Sequence, residues 1–283
     1  MTTLFHYCTV QTFHAVVSTG RVRLSSLRHA NDETEGTLVA AAVARLATSA
    51  LLPTVDIANL QERTKVLETQ FDGMALCLSE EGDLLSQWRG YADDGRGVAI
   101  GLNRTHLDEL IRFSESTDGQ DDHFDIALYQ AKYNETEHDA AIRPLFELLR
   151  SSHPIPLERT AENEKLHNMI KRIEVLQGIR LSLEAFDLVY SMKHRAFSEE
   201  REWRLLHHFD WARSTATGYQ PKHSRLVPYV ELSLQSVSSP PFSEVVLGPR
   251  HTTPSDVIER FLEGHGHKGV KVRKSLSPYR RDA

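Results

Sequence analysis

A mixed α+β fold on a largely antiparallel sheet is predicted by three features of the sequence. About eight short apolar runs read as strands, separated by turn and helix signals. Helical stretches stand in pairs between them rather than one for one, so a regular doubly wound sheet is not expected. A long helical block, about 134–190, interrupts the strand series as an insertion. No repeat, low-complexity segment or linker divides the chain, so one domain over 1–283 is expected.

The elements follow in order. Leu4 to Cys8 is an apolar-aromatic strand, and Thr9 is placed to cap a helix from Val10 to Ser18 that Gly20 stops. Arg21 to Ser25 alternates as a strand does. Asn31 or Asp32 then caps an Ala-rich helix that Pro53 ends, and a second helix covers Val55 to Gln70. Met74 to Ser79 is a buried strand. Asp83 or Ser86 opens a short helix through Tyr91, and Asp93 to Gly97 (DDGRG) is a turn. Val98 to Leu102 is a strand, Thr105 caps a helix to Phe113, Ser114 to His123 is a surface loop, and Phe124 to Tyr133 is a strand. Helices span Glu135 to Ser151 and Glu158 to Tyr190. The second carries apolar residues at helical spacing, Leu166, Ile170, Ile173 and Leu176. Strands follow at Glu200 to His208, Leu226 to Leu234, Glu244 to Leu247 and Gly269 to Lys274. A helix with Thr253 as N-cap and Pro254 in its first turn precedes the last of these and ends at Gly264.

Composition narrows the function classes. The chain has 283 residues, 40% hydrophobic and 25% charged, enough for a substantial core. With 33 Lys and Arg against 39 Asp and Glu, the net charge of -6 gives no support to general binding of a phosphate backbone. Two cysteines, Cys8 and Cys77, rule out a disulfide framework and are read as buried thiols in a reducing, cytoplasmic setting. The start, MTTLFHYCTV, lacks the pattern of an export signal. The run Leu38 to Leu52 is too short and too polar to span a bilayer.

Several motifs are absent: a Walker loop, GxGxxG, GxSxG, HExxH and CxxC. The 15 histidines therefore predict no metal site. Four segments remain that place polar and aromatic residues where a simple core does not need them. They are Phe5 to Thr9, Asn31 to Glu35, Ser86 to Asp93 with the strand Gly97 to Gly101, and Phe197 to Leu206. In the last, strand alternation puts Glu200, Glu202 and Arg204 on one face and Arg201, Trp203 and Leu205 on the other. Two carboxylates about 7 Å apart on one face are costly unless that face opens on a cleft or on solvent. Both readings stay open on the sequence. Likewise Trp88 and Trp203 are read either as core or as site residues, and Asn31 and Asp32 as helix caps.

Taken together, these segments resemble the bacterial family numbered 2971 among the domains of unknown function. The resemblance rests on His6-Tyr7-Cys8-Thr9, Asn31-Asp32 with Glu35, Cys77-Leu78-Ser79, Trp88 with Tyr91 and Asp93, Gly97 to Gly101, Glu200-Arg201-Glu202-Trp203-Arg204, and Leu247-Gly248-Pro249. That family is similar to the ADP-ribosyltransferase superfamily, which implies split, mostly antiparallel sheets with flanking helices and NAD, as substrate, in their cleft. The resemblance implies Glu202 as the catalytic carboxylate with Glu200 as its companion, the choice between them being nearly even. It implies His6, with Tyr7 beside it on the first strand, and Ser79 as dinucleotide-binding residues and Tyr91 or Trp88 as the aromatic wall, while the chemistry of a planar guanidinium suits Arg204 or Arg201 to the pyrophosphate. A carboxylate held against the sugar would stabilise the positive charge that builds on the ribose as the nicotinamide bond breaks.

The expected activity is ADP-ribosyl transfer or NAD hydrolysis, with a protein or nucleic acid as acceptor. By analogy the chain is a toxin or a phage-defence effector with an inhibitory or defence-system partner. The competing readings are a non-catalytic nucleotide- or protein-binding module on the same fold, and a nucleic-acid-processing enzyme using Lys193, Arg201 and Arg204. Glu202→Gln is expected to fold and to lose bond cleavage, and Glu200→Gln to spare nicotinamide release and impair transfer to the acceptor.

Overall fold

The computed structural model describes residues 3–29, 38–70, 72–116, 125–151, 189–209, 218–222 and 224–279. Ten strands pair into one sheet among them. The strands are β1 (Thr3–Cys8), β2 (Arg21–Ser26), β3 (Asp72–Ser79), β4 (Val98–Asn103), β5 (Ile126–Gln130), β6 (Glu202–Phe209), β7 (Gly218–Lys222), β8 (Arg225–Ser233), β9 (Phe242–Leu247) and β10 (Lys271–Lys274). The helices are α1 (Val10–Thr19), α2 (Leu38–Ser49), α3 (Thr54–Gln70), α4 (Leu85–Tyr91), α5 (Arg104–Ser116), α6 (Glu135–Ser151) and α7 (Ser255–Gly264).

The sheet forks at β3. Along one edge β3 pairs over its whole length with β6, from Asp72↔Phe209 to Ser79↔Glu202. Its other edge is shared: β1 meets it only at Phe5↔Ser79, and β2 only at Ser25↔Ala75 and Ser26↔Met74. From the first contact one arm continues as β1-β4-β9-β10, and from the second another continues as β2-β8-β7, while β5 extends the β6 side. The β9–β10 ladder is parallel and the other strand ladders are antiparallel. The mixed α/β class and the mostly antiparallel sheet agree with the expectation.

Local chemistry explains most boundaries. The Thr9 hydroxyl accepts from Thr12 N at 3.2 Å, and Gly20 ends α1 at φ 64°, a left-handed position glycine takes without steric cost. The β4 strand reads as a continuous apolar run because both of its faces are buried. Gly97 enters it so close to β1 that a Cβ there would stand 2.1 Å from the Cys8 carbonyl oxygen. Two apolar layers cover the sheet. One gathers Phe13, Leu24, Leu76, Ile100, Leu205 and Val245, and the other packs Val43, Ile142, Phe146 and Tyr190 against Leu206.

Some expectations are corrected. Strand β7 was not anticipated, because GYQPK carries a proline, a residue confined to sheet edges, and β7 is an edge strand. Pro254 stands at the N-cap position of α7 rather than in its first turn, and no side chain caps that helix. The predicted strand from Glu200 starts only at Glu202. Arg195–Glu200 forms a 3-10 helix, and Arg201 turns the chain at φ 44°. The segment Asn31 to Glu35 and the stripe Leu166 to Leu176 lie outside the described residues.

Candidate functional site

The site lies at the fork. Past the Phe5–Ser79 pair, β1 parts from β3, and a side chain supplies the donor there: His6 Nδ1 meets the Cys77 carbonyl oxygen at 3.0 Å. A carbonyl only accepts, so Nδ1 carries the proton and Nε2 is left as an acceptor. Burial lowers the His6 pKa, the bond to Cys77 opposing it, and the ring is neutral at neutral pH.

A cavity of about 50 Å³ opens beside it, lined by His6, Tyr7, Cys77, Leu78, Gln87, Tyr91, Glu200 and Glu202. Helix α4 contributes Gln87 and Tyr91. It is seated by Trp88, which is fully buried edge-on to Tyr7 at 4.8 Å between centroids. The Tyr7 hydroxyl donates to the Glu81 carbonyl at 2.8 Å and accepts from Leu84 N at 2.9 Å, so only its ring is presented to the cavity. The Tyr91 hydroxyl donates to Glu200 Oε1 at 3.3 Å.

Four charges converge behind these groups. Lys193 Nζ donates to Glu200 Oε2 at 2.5 Å and to Glu202 Oε2 at 2.6 Å. Arg204 grips Glu202 with two bonds, Nε to Oε1 and Nη2 to Oε2, both 3.1 Å, and gives Nη1 to the Tyr190 carbonyl at 2.6 Å. All four side chains are nearly dry, and their formal charges cancel. Burial would raise the Glu202 pKa, but Arg204, Lys193 and a bond from the Cys77 thiol bring it down to about 2. Burial would lower that of Lys193, and the two carboxylates more than reverse this.

His6, Tyr7, Tyr91, Glu200 and Glu202, separated in sequence, thus meet in one cavity. The other named residues lie elsewhere. Trp88 is core, with Nε1 donating to Asp83 Oδ1 at 2.7 Å. Ser79 is buried and donates to the Glu200 carbonyl at 2.7 Å, bracing the turn rather than facing the cavity. Arg204 is 1% exposed, with its donors turned to protein acceptors, and Arg201 pairs with Glu81 at the surface. Glu202 and Arg204 share a face as strand alternation requires. Glu200 joins them from outside the strand, brought round by the left-handed Arg201.

Sequence reasoning did not single out Lys193 as the centre of the charge network, since its contacts lie on a turn and not on any regular spacing. Gln87 was missed as well. Cys77 was expected to be buried, but its sulfur faces the cavity and is exposed to solvent on that side. The continuous apolar run MALCLS gives no alternation from which that could be read. The enclosing protein and the Glu202 charge hold the thiol well above its usual pKa. Alkylation of Cys77 by iodoacetamide, followed by peptide mass mapping, is expected to be slower near pH 7.5 than that of a free thiol and to accelerate only above the ordinary thiol range. Ready reaction at pH 7 would contradict this environment.

Residues 87–205 match the family described as Protein of unknown function (DUF2971). The matched stretch holds Gln87, Tyr91, Lys193, Glu200, Glu202 and Arg204, while His6, Tyr7 and Cys77 lie before it. No curated protein and no solved structure matches the chain. Among the described residues, no helix is long and apolar enough to cross a membrane, and no group of three or more His, Cys, Asp or Glu side chains is arranged to hold a metal ion.

Proposed function

We propose that the chain cleaves NAD at the bond between nicotinamide and ribose and passes ADP-ribose to water or to a macromolecular acceptor, on an ADP-ribosyltransferase-like fold. The observation that carries this reading is the meeting of His6, Tyr91 and Glu200, from three distant segments, in one cavity at the fork of an antiparallel sheet.

Glu200 takes the role of the carboxylate beside the sugar. Its Oε1 accepts only a long bond from Tyr91, whereas Glu202 is gripped by Arg204, Lys193 and Cys77. The charge developing on the ribose would compete with Lys193 for Glu200, strengthening that contact as the bond breaks. The neutral His6, with Nε2 as acceptor, suits a ribose hydroxyl. Tyr91 offers a ring to the cationic nicotinamide. The cavity admits the edge of one small ring, so the phosphates of the dinucleotide would lie outside it. Arg204 takes no part in holding them.

A second reading, a non-catalytic binding module, is favoured by the cancellation of the four buried charges. Incubating the purified protein with NAD and cell extract, and measuring free nicotinamide together with labelled acceptor, separates the two. Release above the spontaneous rate is expected. Neither release nor labelling would put the binding module in its place.

A further inference from the structure

Helix α4 brings Gln87 and Tyr91 to the cavity, yet no side chain caps its N-terminus and it is only seven residues long. A helix of that length has little stability of its own, so its position must come from tertiary contacts. Trp88 anchors its inner face. At each end stands an aspartate, Asp83 before the helix and Asp94 after it, and both are bound by the segment that follows β10.

At the first end Asp83 collects donors from that segment. Ser275 Oγ and Ser277 Oγ donate to Oδ1 at 2.5 and 2.9 Å, and Leu276 N donates to Oδ2 at 2.6 Å. The Trp88 indole also donates to Oδ1, so one carboxylate ties the segment to the helix anchor. Burial acts to raise the Asp83 pKa, but the bonds from Ser275, Trp88, Leu276 and Ser277 leave it below its ordinary value. At the far end α4 runs out through three left-handed residues, Asp93, Asp94 and Gly95. There Tyr279 donates its hydroxyl to Asp94 Oδ1 at 2.5 Å, and Arg250 pairs with Asp94 Oδ2. Four residues of extended chain reach roughly 14 Å, and seven residues of helix measure about 10.5 Å. The segment has the length to join both ends of α4, with Leu276 left 89% exposed.

We infer that residues 275–279 are a clasp that sets the position of α4 and, through it, of Gln87 and Tyr91 in the cavity. Ser275, Ser277 and Tyr279 are positioning residues that touch no substrate. The link from clasp to catalysis rests on the proposed NAD cleavage, whereas the link from clasp to helix does not.

The test is the triple variant Ser275→Ala, Ser277→Ala, Tyr279→Phe in the full chain, which leaves Asp83 and Trp88 intact. Hydrogen exchange read by mass spectrometry is expected to quicken about tenfold over 85–95, because local opening governs exchange there, with β4 and β6 unchanged. Unchanged exchange over 85–95 would overturn the clasp, and so would an equal rise throughout the sheet, which marks only global stability. Nicotinamide release is expected to fall on the order of 10- to 100-fold, as misplacing a site group by about 1 Å does. A local rise in exchange with full release would sever the clasp from the site. If the unmutated protein releases no nicotinamide, the enzymatic reading falls and the exchange measurement still decides the clasp.

Discussion

Arg204→Met is expected to cost about 3–5 kcal/mol of folding stability, because it leaves the buried Glu202 carboxylate short of its main partner. Arg204 is 1% exposed and gives Glu202 two bonds and the Tyr190 carbonyl a third. The substitution keeps most of the volume, so the loss reports charge and hydrogen bonding rather than a cavity. The thermal midpoint should fall by roughly 6–20 °C for a chain of this size. Adding Glu202→Gln removes the uncompensated charge and should recover part of the loss, since Lys193 and Glu200 then balance one another. Urea unfolding of both variants measures this. A single variant within about 0.5 kcal/mol of the unmutated protein, the range of ordinary surface substitutions, would mean the network contributes nothing.

Glu200→Gln is expected to lower nicotinamide release on the order of 100- to 1000-fold, the usual effect of removing one electrostatic stabiliser of a transition state. Affinity for NAD should change far less, since the carboxylate acts mainly as charge develops. This reverses the weight that the sequence placed on the two glutamates. Glu202→Gln no longer serves as a clean test, because a neutral amide beside Arg204 and Lys193 leaves both cations under-compensated and unsettles the fold. Paired measurements of release and of urea midpoint separate the roles. If Glu200→Gln releases nicotinamide at the unmutated rate, Glu200 is not the carboxylate at the sugar.

The sequence made the strands legible where burial is regular. Val98 to Leu102 and Leu4 to Cys8 were read from their apolar runs, and α1 from Thr9 and Gly20, because capping and burial are local signals. What escaped was non-local. The fork at β3 depends on which strands share its edge, and nothing in MALCLS says that one edge will be divided between β1 and β2. Lys193 meets both Glu200 and Glu202 only because Arg201 turns the chain at φ 44°, which no residue pattern announces. Trp88 was implied as a site residue by the resemblance alone, and only its helix neighbours Gln87 and Tyr91 face the cavity. Helical geometry turns it inward onto Tyr7. Ser79 was implied as a dinucleotide-binding residue, but its hydroxyl is spent on the Glu200 backbone.

The shared edge of β3 also bears on the order in which the protein can form. His6 and Cys77 are 71 positions apart, Tyr91 and Glu200 109, and Ser79 and Glu200 121. Closing loops of that length costs entropy that is recovered only once the strands meet, so such pairings form more slowly than local ones. During synthesis, β1 to β4 can pair while β6 has yet to emerge. Until then β3 presents a bare hydrogen-bonding edge, a liability for association with other chains. The cavity likewise lacks every one of its buried charges until Lys193 to Arg204 arrives, and the bonds that hold α4 come later still. A nascent chain would therefore carry no working site, and any activity of this cavity would begin only when nearly the whole of the described sequence had been made.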